Sequence, residues 1–191
     1  MARGDTVDPR VTRTRQVVLA AVLEELAEVG NAQFTIESVA ARCGVGKSTI
    51  YRHWDGKLAL IVDALHELNA QPAPEPGGSP RERVRDLLHH LGHALTEGSL
   101  APAIPALIEA AEREPEVRRL LDDYSTGRRR ALEDALAQGI ALGQIDATVD
   151  PELAAQALSG AIFYARLMTS TPMTGTAIDQ LLAAVLGPPP R

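Results

Sequence analysis

Residues 41–49 read ARCGVGKST, and two chemistries claim them. Ala41, four residues and then Gly46-Lys47-Ser48 make a loose form of the phosphate-cradling P-loop. The same stretch is also a helix end, a glycine turn and the start of another helix, the arrangement that seats a helix in the groove of DNA. A P-loop works because a strand delivers it and a helix N-terminus faces the phosphates. No strand is legible ahead of it. Ile36, Val39, Ala40 and Cys43 fall on one side at helical spacing, and Glu37 and Arg42 are charges that a buried central strand would not carry. LALIVD (58–63) imitates an apolar strand ending in a magnesium-binding Asp. Only nine residues separate Ser48 from Leu58, too few for a parallel crossover of about a dozen. Nucleotide binding through 41–49 is therefore the minor alternative.

The turn reading extends in both directions. Upstream, Val11, Val18, Val22, Leu26 and Val29 recur at helical spacing, predicting a first helix over 11–29 that ends at Gly30. Thr35 caps a short second helix that stops at Gly44, and a third, KSTIYRHW, follows after Val45 and Gly46. A fourth begins near Lys57. The stretch QPAPEPGGSP (71–80) has no periodicity and reads as a loop. Beyond it, a leucine stripe (Val84, Leu87, Leu88, Leu91, Leu95), a proline-led helix near 100–114, a long charged helix from Pro115 to about Leu142, a small-residue helix after Asp150-Pro151 and a last helix over roughly 175–186 complete an all-α chain of about nine helices. The expected division is a three-helix DNA-binding domain at 1–56, with 1–9 as a disordered arm, and a helical bundle at 57–191 for ligand binding and dimerisation.

Composition fits. Of 191 residues, 45% are hydrophobic and only 3% aromatic, enough to build a core and biased toward helix formers. The single Cys excludes an intramolecular disulfide, and neither a secretory leader nor a bilayer-length apolar run is visible, so a soluble, cytoplasmic protein is expected. The net charge of −6 conceals an asymmetry: residues 1–60 hold eight Lys/Arg against seven Asp/Glu, and residues 61–191 hold eleven against eighteen. The first third suits an anionic partner; the rest does not.

Within the third helix, Ile50 and Trp54 stand four apart and face inward with Val45, while Ser48 and Arg52 point the other way. Arg52 can make two parallel bonds to guanine O6 and N7, Ser48 can donate to or accept from a base, and Lys47 reaches a base edge or phosphate. Thr49, Tyr51 and His53 flank this face and are placed to meet phosphate oxygens. Thr35 and Lys57 would do the same from the first turns of their helices. Arg3, Arg10, Arg13 and Arg15 form either a minor-groove arm or a tail.

TIESVAARCGVGKSTIYRHWDGKLAL resembles the DNA-binding signature of the TetR family of transcriptional regulators: a Thr, an apolar-Ala pair, a Gly-Val turn, Tyr and His in the reading helix, an aromatic, and a Lys before apolar residues. The resemblance spans about residues 11–66. Cys43 stands where Ala is common and Trp54 where Phe is usual. The helix order over 81–187, with Glu114-Pro115-Glu116 and Asp150-Pro151-Glu152, is similar to the family's regulatory halves. The resemblance implies a repressor that binds a palindromic operator as a homodimer through helices at about 151–168 and 175–186. It also implies release by a small-molecule effector lodged between the fourth and eighth helices.

The other candidates read as structure. Cys43 closes an apolar helix face. His89, His90 and His93 lack a metal-binding pattern, and the pair His89 and His93 lies opposite the leucines, so no metal site is expected. Arg128-Arg129-Arg130 belongs to a salt-laced helix surface. Tyr124, Arg128, Gln156 and Tyr164 either line an effector cavity or are ordinary buried and interface residues. No Ser/His/Asp or paired-carboxylate spacing supports an enzyme, and no cofactor is expected.

Overall fold

The computed structural model describes residues 9–68, 78–98 and 101–188, and every regular element among them is helical. In chain order these are α1 (Pro9–Gln33), α2 (Ile36–Cys43), α3 (Lys47–His53), α4 (Gly56–Leu68), α5 (Pro80–Thr96), α6 (Ile104–Ala111), α7 (Pro115–Ala141), α8 (Pro151–Met168) and α9 (Gly175–Leu186). No strand precedes the glycine turn, so the P-loop alternative loses the element it requires. Most of the loop expected at 71–80 and nearly all of the arm at 1–9, Arg3 included, lie outside the described residues. Arg13 and Arg15 belong to α1, so the arm-or-tail alternative does not extend to them.

The sequence predicts that α1 ends at Gly30; instead, a final turn continues to Gln33 past a break at that glycine. Gly30 has φ 71° and ψ 170°, a backbone region essentially reserved for glycine, and its carbonyl accepts from Phe34 N at 3.2 Å.

Among the described residues the chain forms two compact units. The first takes those up to Leu68 together with Pro102–Leu121, and the second takes the remainder. The expected boundary at 56/57 thus falls inside the first unit. Leu60, Ile61, Ala64 and Leu65 of α4 are buried, and α1 packs against α2, α4 and α6. Val18, Val22 and Leu26 of α1 are fully buried at the centre of that packing. Burying each such side chain is worth about 1.5–3 kcal/mol.

One charge is held inside this unit. Glu25 is 5% exposed, and a carboxylate so buried needs partners. Arg42 of α2 supplies one, its Nε donating to Glu25 Oε2 at 2.8 Å while its Nη2 donates to Glu28. The hydrogen bond from Ser38 and then that from Arg42 hold the Glu25 carboxyl below the usual range against the opposing effect of burial. The pair fastens α2 to α1.

In the second unit α5 packs against α8 and α9, and α8 against α9. Ser79 caps α5 in a reciprocal capping box with Glu82. Asp150 caps α8, accepting from Leu153 N at 2.8 Å, with Pro151 at the first position as the sequence predicts. Val84, Leu88, Leu136, Leu158, Ile162 and Ile178 are at most 2% exposed and form the core. Arg166 of α8 reaches back to donate to the carbonyls of Leu95 and Ala101 at 2.8 and 3.0 Å.

Candidate nucleic-acid interface

The interface is built from α2, a tight turn and α3. Thr35 caps α2, its hydroxyl accepting from Ser38 N at 3.0 Å. Gly44 then closes the helix in the left-handed region, φ 68° and ψ 16°, a conformation that costs a β-carbon dearly. Gly46 caps α3 without a side-chain bond. The seven residues of α3 are too few to be stable alone, so tertiary contacts must hold them. Ile50 is fully buried and Trp54 is 7% exposed; these two form the back of the helix.

On the opposite side Lys47, Ser48, Tyr51, Arg52 and His53 are exposed, with Thr49 half-buried. The turn reading of 41–49 required this polar, cationic surface. Its charge is partly offset at one end: Lys47 Nζ donates to Glu37 Oε1 at 3.1 Å, and that bond holds the Glu37 carboxyl below its usual range. No such partner faces Arg52 among the described residues.

Two expected phosphate contacts are already engaged. Thr35 spends its hydroxyl within the capping box, bonding Ser38 Oγ at 3.0 Å as well as its amide. The Lys57 ammonium donates to the Asn31 carbonyl and lies 5.6 Å above the Phe34 ring. Burial lowers its pKa below the usual lysine value, with Glu114 opposing. Asn31, 2% exposed, bonds Glu114 Oε1 at 2.7 Å.

The four effector-site candidates fall in two settings, Tyr124 and Arg128 half-buried and Gln156 and Tyr164 exposed. Arg128 Nη1 donates to the Tyr124 hydroxyl at 3.2 Å, one turn apart on α7. Gln156 and Tyr164 instead open to solvent on α8, with Tyr164 63% exposed, so neither walls an enclosed cavity. Their neighbours on that face are Leu153, Ala157, Gly160, Leu167 and Met168, at spacings of three, four and seven. Of the histidines, His89 pairs with Asp179 of α9 at 2.8 Å and His93 lies 3.3 Å from Glu97. No metal-binding cluster occurs among the described residues. Arg129 bonds Glu133 at 2.8 Å, one turn on. Cys43 is half-buried. No helix among the described residues is long and apolar enough to cross a membrane.

Sequence reasoning missed Asp63, which it met only as a false magnesium ligand. The carboxylate accepts from Trp54 Nε1 at 2.7 Å through Oδ2 and from Arg15 Nη2 at 2.5 Å through Oδ1. Two signals pointed to it. An acid within the apolar run of α4 needs a partner, and so does the N–H of a buried indole.

Comparison with known proteins agrees with this geometry. A family model described as bacterial regulatory proteins, tetR family, matches residues 18–64. Another, described as tetracyclin repressor-like, C-terminal domain, matches residues 74–185. The uncharacterized HTH-type transcriptional regulator YdeS of Bacillus subtilis (strain 168) is 30% identical over 185 residues, covering 91% of this chain and 88% of its own. A DNA-binding transcriptional repressor TetR of Mycobacteroides abscessus is 28% identical over 192 residues, covering 97% and 95%. The solved structure of the TetR family transcription regulator SCO0332 superposes with a TM-score of 0.66 at 30% identity, covering 93% of this chain and all of that one. These relatives are regulators of transcription, not enzymes, and the chain belongs to the TetR family of helix-turn-helix transcriptional regulators.

Proposed function

We propose that the protein is a repressor that binds a palindromic operator as a homodimer, reading bases with α3 and releasing DNA when a small-molecule effector binds. The observation that carries the reading is the two-sided α3: Ile50 and Trp54 buried behind it, Lys47, Ser48, Tyr51, Arg52 and His53 exposed in front. Arg52 and Ser48 take the base-reading roles. Lys47, Thr49, Tyr51 and His53 take phosphate or flanking contacts, with Thr35 and Lys57 at the margins.

One short helix contacts too few base pairs for high affinity, so two copies must act together. The outward face of α8 supports this. Leu153, Tyr164 and Met168 are 65%, 63% and 72% exposed, and Ala157 and Gly160 between them let a second backbone approach. α9 offers a companion face through Ala183 and Ala184, both exposed. A two-fold dimer reads half-sites about one helical turn, roughly 34–36 Å, apart. The likeness to a named repressor supports repression, and the family's usual response to small molecules supports an effector. Such a ligand acts only through its difference in affinity for the DNA-binding and released states.

Selection of duplexes from a random pool by the purified protein tests the reading. A palindrome with half-sites one turn apart is expected. Recovery of no preferred sequence, or of an unrepeated site bound by one copy, would reject it.

A further inference from the structure

The aim of α3 depends on how its C-terminal end is held, because a seven-residue helix does not set its own direction. Trp54 terminates it in extended conformation, φ −134° and ψ 127°, its backbone N–H bonded to Ile50 O. The two residues just before it, Arg52 and His53, belong to the exposed face. The indole is buried and has one donor to satisfy. Asp63 satisfies it across nine positions of chain, at 2.7 Å, and the same carboxylate binds Arg15 of α1 at 2.5 Å. A small cleft of about 100 Å³ lined by Thr14, Arg15, His53, Trp54 and Asp63 lies beside this junction. Charge-assisted bonds are shorter and stronger than neutral ones. Here one carboxylate on α4 joins α1 to the end of α3.

We propose that Asp63 is a positioning residue for DNA reading, fixing the C-terminal end of α3 through the Trp54 indole so that Arg52 and His53 meet the duplex in register. The assignment rests on the reading of α3 as the recognition helix. It also explains what the unusual tryptophan contributes, because a phenylalanine keeps an apolar aromatic ring there but has no N–H to donate to this tether.

Asp63→Ala, Asp63→Asn and Trp54→Phe test it, the probe being the duplex recovered from the random pool by the unaltered protein. Trp54 is the single tryptophan of the chain, so its fluorescence emission reports the junction directly. Asp63→Ala is expected to weaken binding about tenfold, the scale of one charge-assisted hydrogen bond, and to shift the emission. Asp63→Asn keeps an acceptor for the indole and is expected to restore most of both. Trp54→Phe should cost a comparable factor, and adding Asp63→Ala to it should cost much less than the sum. Should Asp63→Ala fail to fold, Trp54→Phe alone carries the test, with its thermal midpoint measured alongside. Unchanged binding in Asp63→Ala or in Trp54→Phe overturns the inference while leaving α3 as the reader. So does a loss in Asp63→Ala that persists in full when Trp54 is already Phe. An unaltered protein that recovers no duplex removes the reader and this inference together.

Discussion

Tyr51 and Tyr164 are both exposed tyrosines on outward helix faces, 53% and 63% open to solvent, and their neighbours make them unlike. Tyr51 stands among Lys47, Ser48, Arg52 and His53; Tyr164 stands in line with Leu153, Ala157, Gly160 and Met168. An amphipathic ring serves either setting. The surrounding charge sorts them: a cationic face suits a polyanion, and an apolar face suits another protein surface. The same contrast divides the composition, with the acidic excess confined to residues 61–191.

The sharpest way to break the comparison is to put a charge on the apolar side. Tyr164→Asp is expected to turn a dimer into a monomer by light scattering and to weaken operator binding by about 100-fold or more, since the second half-site is lost. A variant that stays dimeric and binds normally would place the subunit contact elsewhere. Next in size is Arg52→Ala, expected to cost about 1–3 kcal/mol of binding and to relax base preference at one symmetric pair of positions. Equal loss on all sequences would make Arg52 a phosphate contact. Lys57→Ala separates two roles. If its ammonium leaves the Asn31 carbonyl for a phosphate, the salt dependence of binding falls by about one unit of slope; an unchanged slope means that the ammonium stays with Asn31. The smallest effect is expected from Glu37→Gln, which frees Lys47 and should tighten binding about two- to threefold at low salt, fading as salt rises.

Helices were legible where residues with local chemistry bound them: Thr35 and Asp150 as caps, Gly44 as a left-handed stop, and apolar stripes at helical spacing between them. The face of α3 was legible for the same reason, since four-residue spacing alone separates Ile50 and Trp54 from Ser48 and Arg52. Contacts distant in sequence were not. Asn31 meets Glu114 across 83 positions, and nothing local in either signals that α6 and the start of α7 join the first compact unit. Position in a first turn points Lys57 and Thr35 toward phosphate; their present partners, a carbonyl and a capping serine, emerge only once the chain is folded. Gln156 and Tyr164 share with Tyr124 and Arg128 a polar or aromatic character that sequence alone does not sort, and it is the register of α8 that turns the first two to solvent.

The break at Gly30 has a consequence for anyone wishing to make this protein more robust. A β-carbon built there would find nothing within 4 Å, which invites the common stabilising exchange of glycine for alanine. The open space is misleading, because the obstacle is torsional: with φ at 71° and ψ at 170°, an alanine is expected to lower stability by about 1–3 kcal/mol, and thermal melting of Gly30→Ala would measure it. Thermostabilising changes belong at other positions, and Gly30 should be left untouched in any library built on this scaffold.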